Sequence, residues 1–196
     1  MISRRATIVA GAVVLAVGFS GFLMIQLAGN SNGAPVAFKE ARLQGALISQ
    51  DIVNLSREAA TELINIEQLH AGGDPDGALR RTATLVAQGQ AIRDRALDLS
   101  TELDTMTHSL ESIDSLAARE AALRAITDWL TMISRLINYS GYLSRLTDAL
   151  RNELIGTPSK ENVSELILRV NQEVGSVNEL DAQAREEIKR FDEIVE

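Results

Sequence analysis

Few side chains in this chain could do chemistry. It has two histidines, His70 and His108, and no cysteine, which excludes disulfides, thiolate metal sites and thiol nucleophiles. Glu67-Gln68-Leu69-His70 has the Glu-x-x-His spacing that sets both groups on one helix face. Di-iron four-helix bundles use that unit twice, with two further glutamates at the same level. Here the second histidine falls at the end of an antiparallel neighbour, so the two should lie at opposite ends of the fold. No metal centre and no serine-histidine-acid set is expected. Gly72-Gly73 lacks the lysine and the preceding strand of a phosphate loop. The chain reads as a non-enzyme without a cofactor.

Two acids sit where apolar residues belong. Asp181 and Glu62 occupy positions in otherwise apolar helical seams, and a carboxylate in a bundle core must be paired, protonated or wet. Helix counting sets Asp181 near the level of Arg93 and Arg95, so these four residues are the candidate polar core or ligand site. The plainer expectation is a seam that rotates and lets the carboxylate reach water. Trp129, Tyr139 and Tyr142 form the one aromatic cluster, with Asn138, Ser140 and Gly141 among them. Exposed, it would be an interaction patch for a protein partner; aromatic packing beside a small residue is the plainer reading. Asn54, Asn138 and Asn162 each begin an Asn-x-Ser sequon, but their helical positions and a bacterial origin argue against glycosylation.

The elements that must position these residues are helices. Proline is nearly absent, at Pro35, Pro75 and Pro158, while alanine, leucine, arginine and glutamate abound. Apolar residues return at steps of three and four over 37–70, 75–108, 115–155 and 159–195. Ala71-Gly72-Gly73-Asp74-Pro75 is a strong break: glycine permits a left-handed turn, Asp74 can cap, and Pro75 preorganises the first helical residue. Gly156-Thr157-Pro158 is another, with Ser159 the expected cap of the last helix. Between helices two and three the signal is weaker. Thr107 to Ser115 is rich in capping residues, yet Leu110, Ile113 and Leu116 keep the helical spacing. A turn there is expected; the alternative is one continuous helix completed by oligomerisation. The last helix has the most regular seam, Val163, Ile167, Val170, Val174, Val177, Asp181, Ala184, Ile188, Phe191 and Val195, a coiled-coil period. Four helices of matched length predict an all-α, up-down-up-down antiparallel four-helix bundle over 37–196.

An apolar stretch precedes this body. From Ala6 to Ala28 no residue is charged, and roughly 20 apolar residues cross a bilayer core about 30 Å thick. Arg4 and Arg5 stand before it and the next charge is Lys39, which orients the N-terminus toward the cytoplasm. The expectation is a retained single-pass signal-anchor, a cytoplasmic stub over 1–5, a linker over 29–36, and a periplasmic or extracellular body on a bacterial cell membrane. A cleaved signal peptide competes, but the apolar core is long and no clean Ala-x-Ala site follows. Ala12, Ala16 and Ser20 recur every four residues, a spacing that permits anchor pairing but arises readily in an alanine-rich helix.

Charge narrows the partners. The chain carries a net −8; without Arg4 and Arg5, 17 basic face 27 acidic residues, a net of −10. Such a body repels nucleic acid and anionic headgroups. The function expected is a membrane-anchored scaffold or protein-protein interaction module, meeting another envelope protein or a copy of itself. The alternative is a binding module for a small cationic or amphipathic ligand held around Asp181.

Overall fold

A computed structural model describes residues 33–196; the apolar stretch over 6–28, with the anchor, topology and cleavage expected of it, lies outside the described residues. Among the described residues the protein is all-helical, and no helix is long and apolar enough to cross a membrane. Four long helices form a bundle: α1 (Val36–Ala71), α2 (Pro75–Ser109), α3 (Leu116–Leu154) and α4 (Val163–Val195), with a short 3-10 turn over Leu110–Ser112 between α2 and α3.

The breaks follow local chemistry. Asp74 Oδ1 accepts from the Gly77 amide at 2.8 Å, with Pro75 at the first helical position. A Cβ at residue 77 would stand 2.2 Å from Asp74 Oδ2, so any larger residue there would make the capping carboxylate shift. Gly73 and Gly156 adopt φ of 82° and 73°, the left-handed conformation that ends α1 and α3 cheaply. The weak signal after Thr107 resolves as two helices. Ser109 and Thr107 turn their hydroxyls back on carbonyls of α2, Ile113 extends to φ −94°, ψ 117°, and Ser115 caps α3 by accepting from Ala118 N. At the head of α4 the cap is Asn162, whose Oδ1 accepts from the amides of Ser164 and Glu165. Ser159 instead closes a tight turn with Glu161. The chain needs those extra residues to turn back after Pro158, so α4 begins at Val163 and not at Ser159.

Ion pairs between helices fix their directions. Glu62 pairs with Arg81 and Asp51 with Arg95 across α1 and α2. Arg145 pairs with Glu161, Arg135 with Glu173 and Arg124 with Glu187 across α3 and α4. In each series one number rises as the other falls, so partners run antiparallel. At Gly89 α2 packs against α3, where a Cβ would make ordinary contact with Leu143 at 3.5 Å. Phe38 and Phe191, with centroids 4.9 Å apart, bring the start of α1 to the end of α4. One core threads all four helices, through Phe38, Ile52, Leu85, Ile92, Ile126, Leu143 and Phe191, each at most 1 % exposed. Burying such side chains contributes about 1.5–3 kcal/mol each, which offsets the weak intrinsic helicity of the valines of α4.

Candidate functional site

The seam of α4 is the first place to look, because a bundle builds its sites from inward-facing polar groups. Asp181 is 6 % exposed, between Val177 and Ala184 on the buried face. The seam does not rotate enough to wet it, contrary to the plainer sequence reading. Its partner is Arg185, one turn on along the same helix. Burial pushes the Asp181 carboxyl above its ordinary range, and Arg185 opposes that shift. Arg93 and Arg95 do not join it. Arg93 is exposed, and Arg95 reaches Asp51 at 3.5 Å and Asp98 at 3.1 Å on the outside of the bundle. Counting residues gives the level of a side chain but not its azimuth, and both arginines lie on the outward side of α2. Glu62 is also apart, held by Arg81 Nη1 at 3.0 and 3.2 Å. Asp181, Arg95 and Glu62 therefore sit in three separate ion-pair sites, with exposed Arg93 in none of the three, and the four residues share no common pocket.

The aromatics divide in the same way. Trp129 and Tyr139 are 8 % and 2 % exposed and belong to the core. Tyr142 is half-buried, with the Arg145 guanidinium 5.5 Å above its ring. They make no joint exposed patch, because steps of ten and three residues spread them around α3. Tyr139 faces Ser56 of α1 without closing a hydrogen bond of ordinary geometry, and burial pushes its phenol up to about 12.

Sequence reasoning missed the most buried charge. Arg42 is 3 % exposed and forms a two-pronged bond to Asp192, at 2.7 and 2.8 Å. Beside it Phe38 meets Phe191, and Gly33 approaches so closely that a Cβ there would stand 2.7 Å from the Val195 carbonyl. Aromatic stacking, a bidentate ion pair and backbone contact thus clasp the first turns of α1 to the last turns of α4. The signal available was that Arg42 stands four residues after Phe38 and three before Gly45, in line with an apolar face. A recess of about 20 Å³ adjoins the arginine, bordered by Gly45, Ser49, Leu99, Met106 and Trp129. It has room for about one water, far less than the roughly 300 Å³ of a small-molecule pocket.

The histidines stay at opposite ends, His70 in the last turn of α1 and His108 in the last turn of α2. Among the described residues no three His, Asp or Glu side chains gather as a metal site would require. His108 is fully exposed; its ring contact with the Asp104 carbonyl, then the Asp104 charge, raise its pKa. Of the buried charges, Arg42 and Glu173 tie one helix to another, through Asp192 and Arg135, while Asp181 pairs within its own helix. No protein-family model matches the chain, and neither a curated protein nor a solved structure matches it.

Proposed function

We propose that the chain is a single-pass membrane protein whose up-down-up-down helical bundle acts by contact, as a scaffold or interaction module without catalysis. The observation that carries this reading is the uncharged stretch Ala6 to Ala28 joined by a short linker to an acidic helical body. Arg4 and Arg5 place the N-terminus in the cytoplasm and the bundle in the periplasm or outside a bacterial cell. Support comes from how the polar interior is used. Arg42 is tied to Asp192 and Glu62 to Arg81 between helices, and Asp181 to Arg185 within α4, so each of these groups already has a partner in the fold. The end of the bundle that carries the linker also carries the clasp, which binds the anchor-proximal turns of α1 to α4. Carbonate extraction of cell membranes tests the anchor: the full chain stays in the pellet, whereas release into the supernatant contradicts it.

The burial of Asp181 favours a second reading, a site for a small cationic or amphipathic ligand at the α4 seam. A thermal-shift screen of the full chain in detergent against polyamines and cationic amphiphiles tests it. A rise in melting temperature that Asp181→Asn abolishes supports the site, and no shift with any probe rejects it.

A further inference from the structure

We propose that the bundle opens at the turn between α2 and α3, joins those two helices into one, and exchanges helix pairs with a second copy of this chain. The proposal rests on the interaction reading above and deepens it by naming the partner and the contact. The three connections of the bundle are built differently. Those after α1 and α3 carry glycines at positive φ, Gly73 and Gly156, each followed two residues on by a proline, Pro75 and Pro158. A helix does not run through such a pair. The connection between α2 and α3 has neither glycine nor proline. Ile113 and Ser115 hold it with φ of −94° and −74° and ψ of 117°, ordinary extended values, and Ser115 caps the helix that follows. Leu110, Ile113 and Leu116 meanwhile keep a helical spacing through it. Turning ψ at these residues to the helical value of about −40° joins α2 to α3.

The core itself selects the partner. In the exchanged dimer α1 and α2 of one copy pack on α3 and α4 of the other. Each contact between these pairs is one that the single chain already makes: Arg42 with Asp192, Phe38 with Phe191 and Gly89 against Leu143 are remade across copies. The ion pairs inside each helix pair, such as Glu62 with Arg81 and Arg145 with Glu161, stay within one copy. Exchange of this kind needs no new complementary surface.

The register of α2 on α3 fixes where the two joined helices cross. Leu116 is equally far along the chain from Gly89 and from Leu143. In the antiparallel pair of joined helices Leu116 therefore comes level with its own counterpart, at the twofold axis. In the single chain Leu116 is 74 % exposed, more than any other large apolar side chain among the described residues, and exchange gives it a neighbour. The geometry also suits two anchors in one membrane. Gly45 lies against Leu99 and Gly33 against Val195, so each linker leaves beside the end of α2 and the end of α4. Those ends form the middle of the joined dimer, where the two linkers emerge within roughly 25 Å of each other. The distal tips then point apart, along the membrane. Confinement to one surface raises the effective concentration of the second copy.

The chain has no cysteine, so introduced pairs report cleanly. A Cβ at residue 33 would stand 3.4 Å from the Val195 Cβ, close to the separation that a disulfide spans. Full-length chains carrying Gly33→Cys and differently tagged full-length chains carrying Val195→Cys are expressed together and oxidised mildly in their membranes. The expected result is a mixed-tag linked dimer at least tenfold above that formed between Leu168→Cys chains, whose exposed position on α4 measures collision. Leu116→Pro should cut the mixed link at least tenfold and leave the melting temperature unchanged. Proline suits the first position of α3 and follows the extended Ser115 without strain, but it breaks a joined helix. One chain carrying both substitutions checks the reach of the pair by linking within itself, and Phe38→Cys with Phe191→Cys replaces the pair if it does not. Linking within that chain but none between copies overturns the proposal, and so does a mixed link that Leu116→Pro leaves intact. If copies stay unlinked while an amine-reactive crosslinker attaches the chain to a different protein, this inference fails and the interaction reading stands; if neither link forms, both fail.

Discussion

At the scale of single residues, the buried polar groups are where the balance of forces is finest. Tyr139 hides a phenol whose pKa is pushed up to about 12 by burial. Its folded value exceeds the unfolded value near 10, so its contribution is fully present below pH 10 and is lost as pH rises toward 12. A shift of that size corresponds to stability on the order of 2–3 kcal/mol. Tyr139→Phe should remove that alkaline loss while changing stability at pH 7 by less than about 1 kcal/mol, since the hydroxyl gives up no well-formed bond; urea titrations at pH 7 and pH 11 measure both. Asp181 follows the same rule in a lower pH range. Burial raises its folded pKa, so ionisation costs stability at neutral pH and the cost fades as pH falls through the raised value. Asp181→Asn should accordingly equal or exceed wild type at pH 7 and lose that advantage in acid, in melts recorded from pH 7 to pH 4. An unchanged gap across that range would show that the carboxylate is not desolvated. The seam position of Asp181 was legible from the sequence; its burial was not, because a rotation of a few tens of degrees decides between core and water.

Among the elements, the four helices and both glycine breaks were readable, since left-handed glycines and an Asp-Pro cap are local chemistry. The start of α4 was not, because Ser159 and Asn162 are both good caps and only the path of the chain after Pro158 chooses between them. The clasp was hidden for a different reason: Arg42 and Asp192 lie 150 residues apart, and no periodicity links them. Truncating the acid should leave a guanidinium buried without its carboxylate. Asp192→Ala is therefore expected to cost about 3 kcal/mol, measured by equilibrium unfolding, and a loss under 0.5 kcal/mol would show that the clasp contributes little. Helix propensity offers a contrasting test in α4. Gly175 is exposed, and nothing lies within 4 Å of where its Cβ would stand. Gly175→Ala should add about 0.5–1 kcal/mol and raise the melting temperature; a fall would mean that residue 175 needs glycine for a contact beyond the bundle.

For the whole molecule, charge and hydrophobicity are divided along the chain. The uncharged stretch occupies one end, an acidic bundle follows, and the side chains that could have formed one polar site are dispersed into separate ion pairs between and along helices. Composition alone showed the division; the dispersal required three dimensions, because Asp181, Arg93 and Arg95 share a level by counting and face different ways. On the proposed reading a molecule of this plan works through what it touches. Lys39, Lys160 and Lys189 give an amine-reactive crosslinker footholds on α1, the turn before α4, and α4. The direct test is such crosslinking in intact membranes at native abundance, read by mass spectrometry. The account predicts the chain in the membrane fraction, linked through these lysines to another envelope protein or to its own copy. Recovery of the chain solely as an unlinked monomer would contradict it.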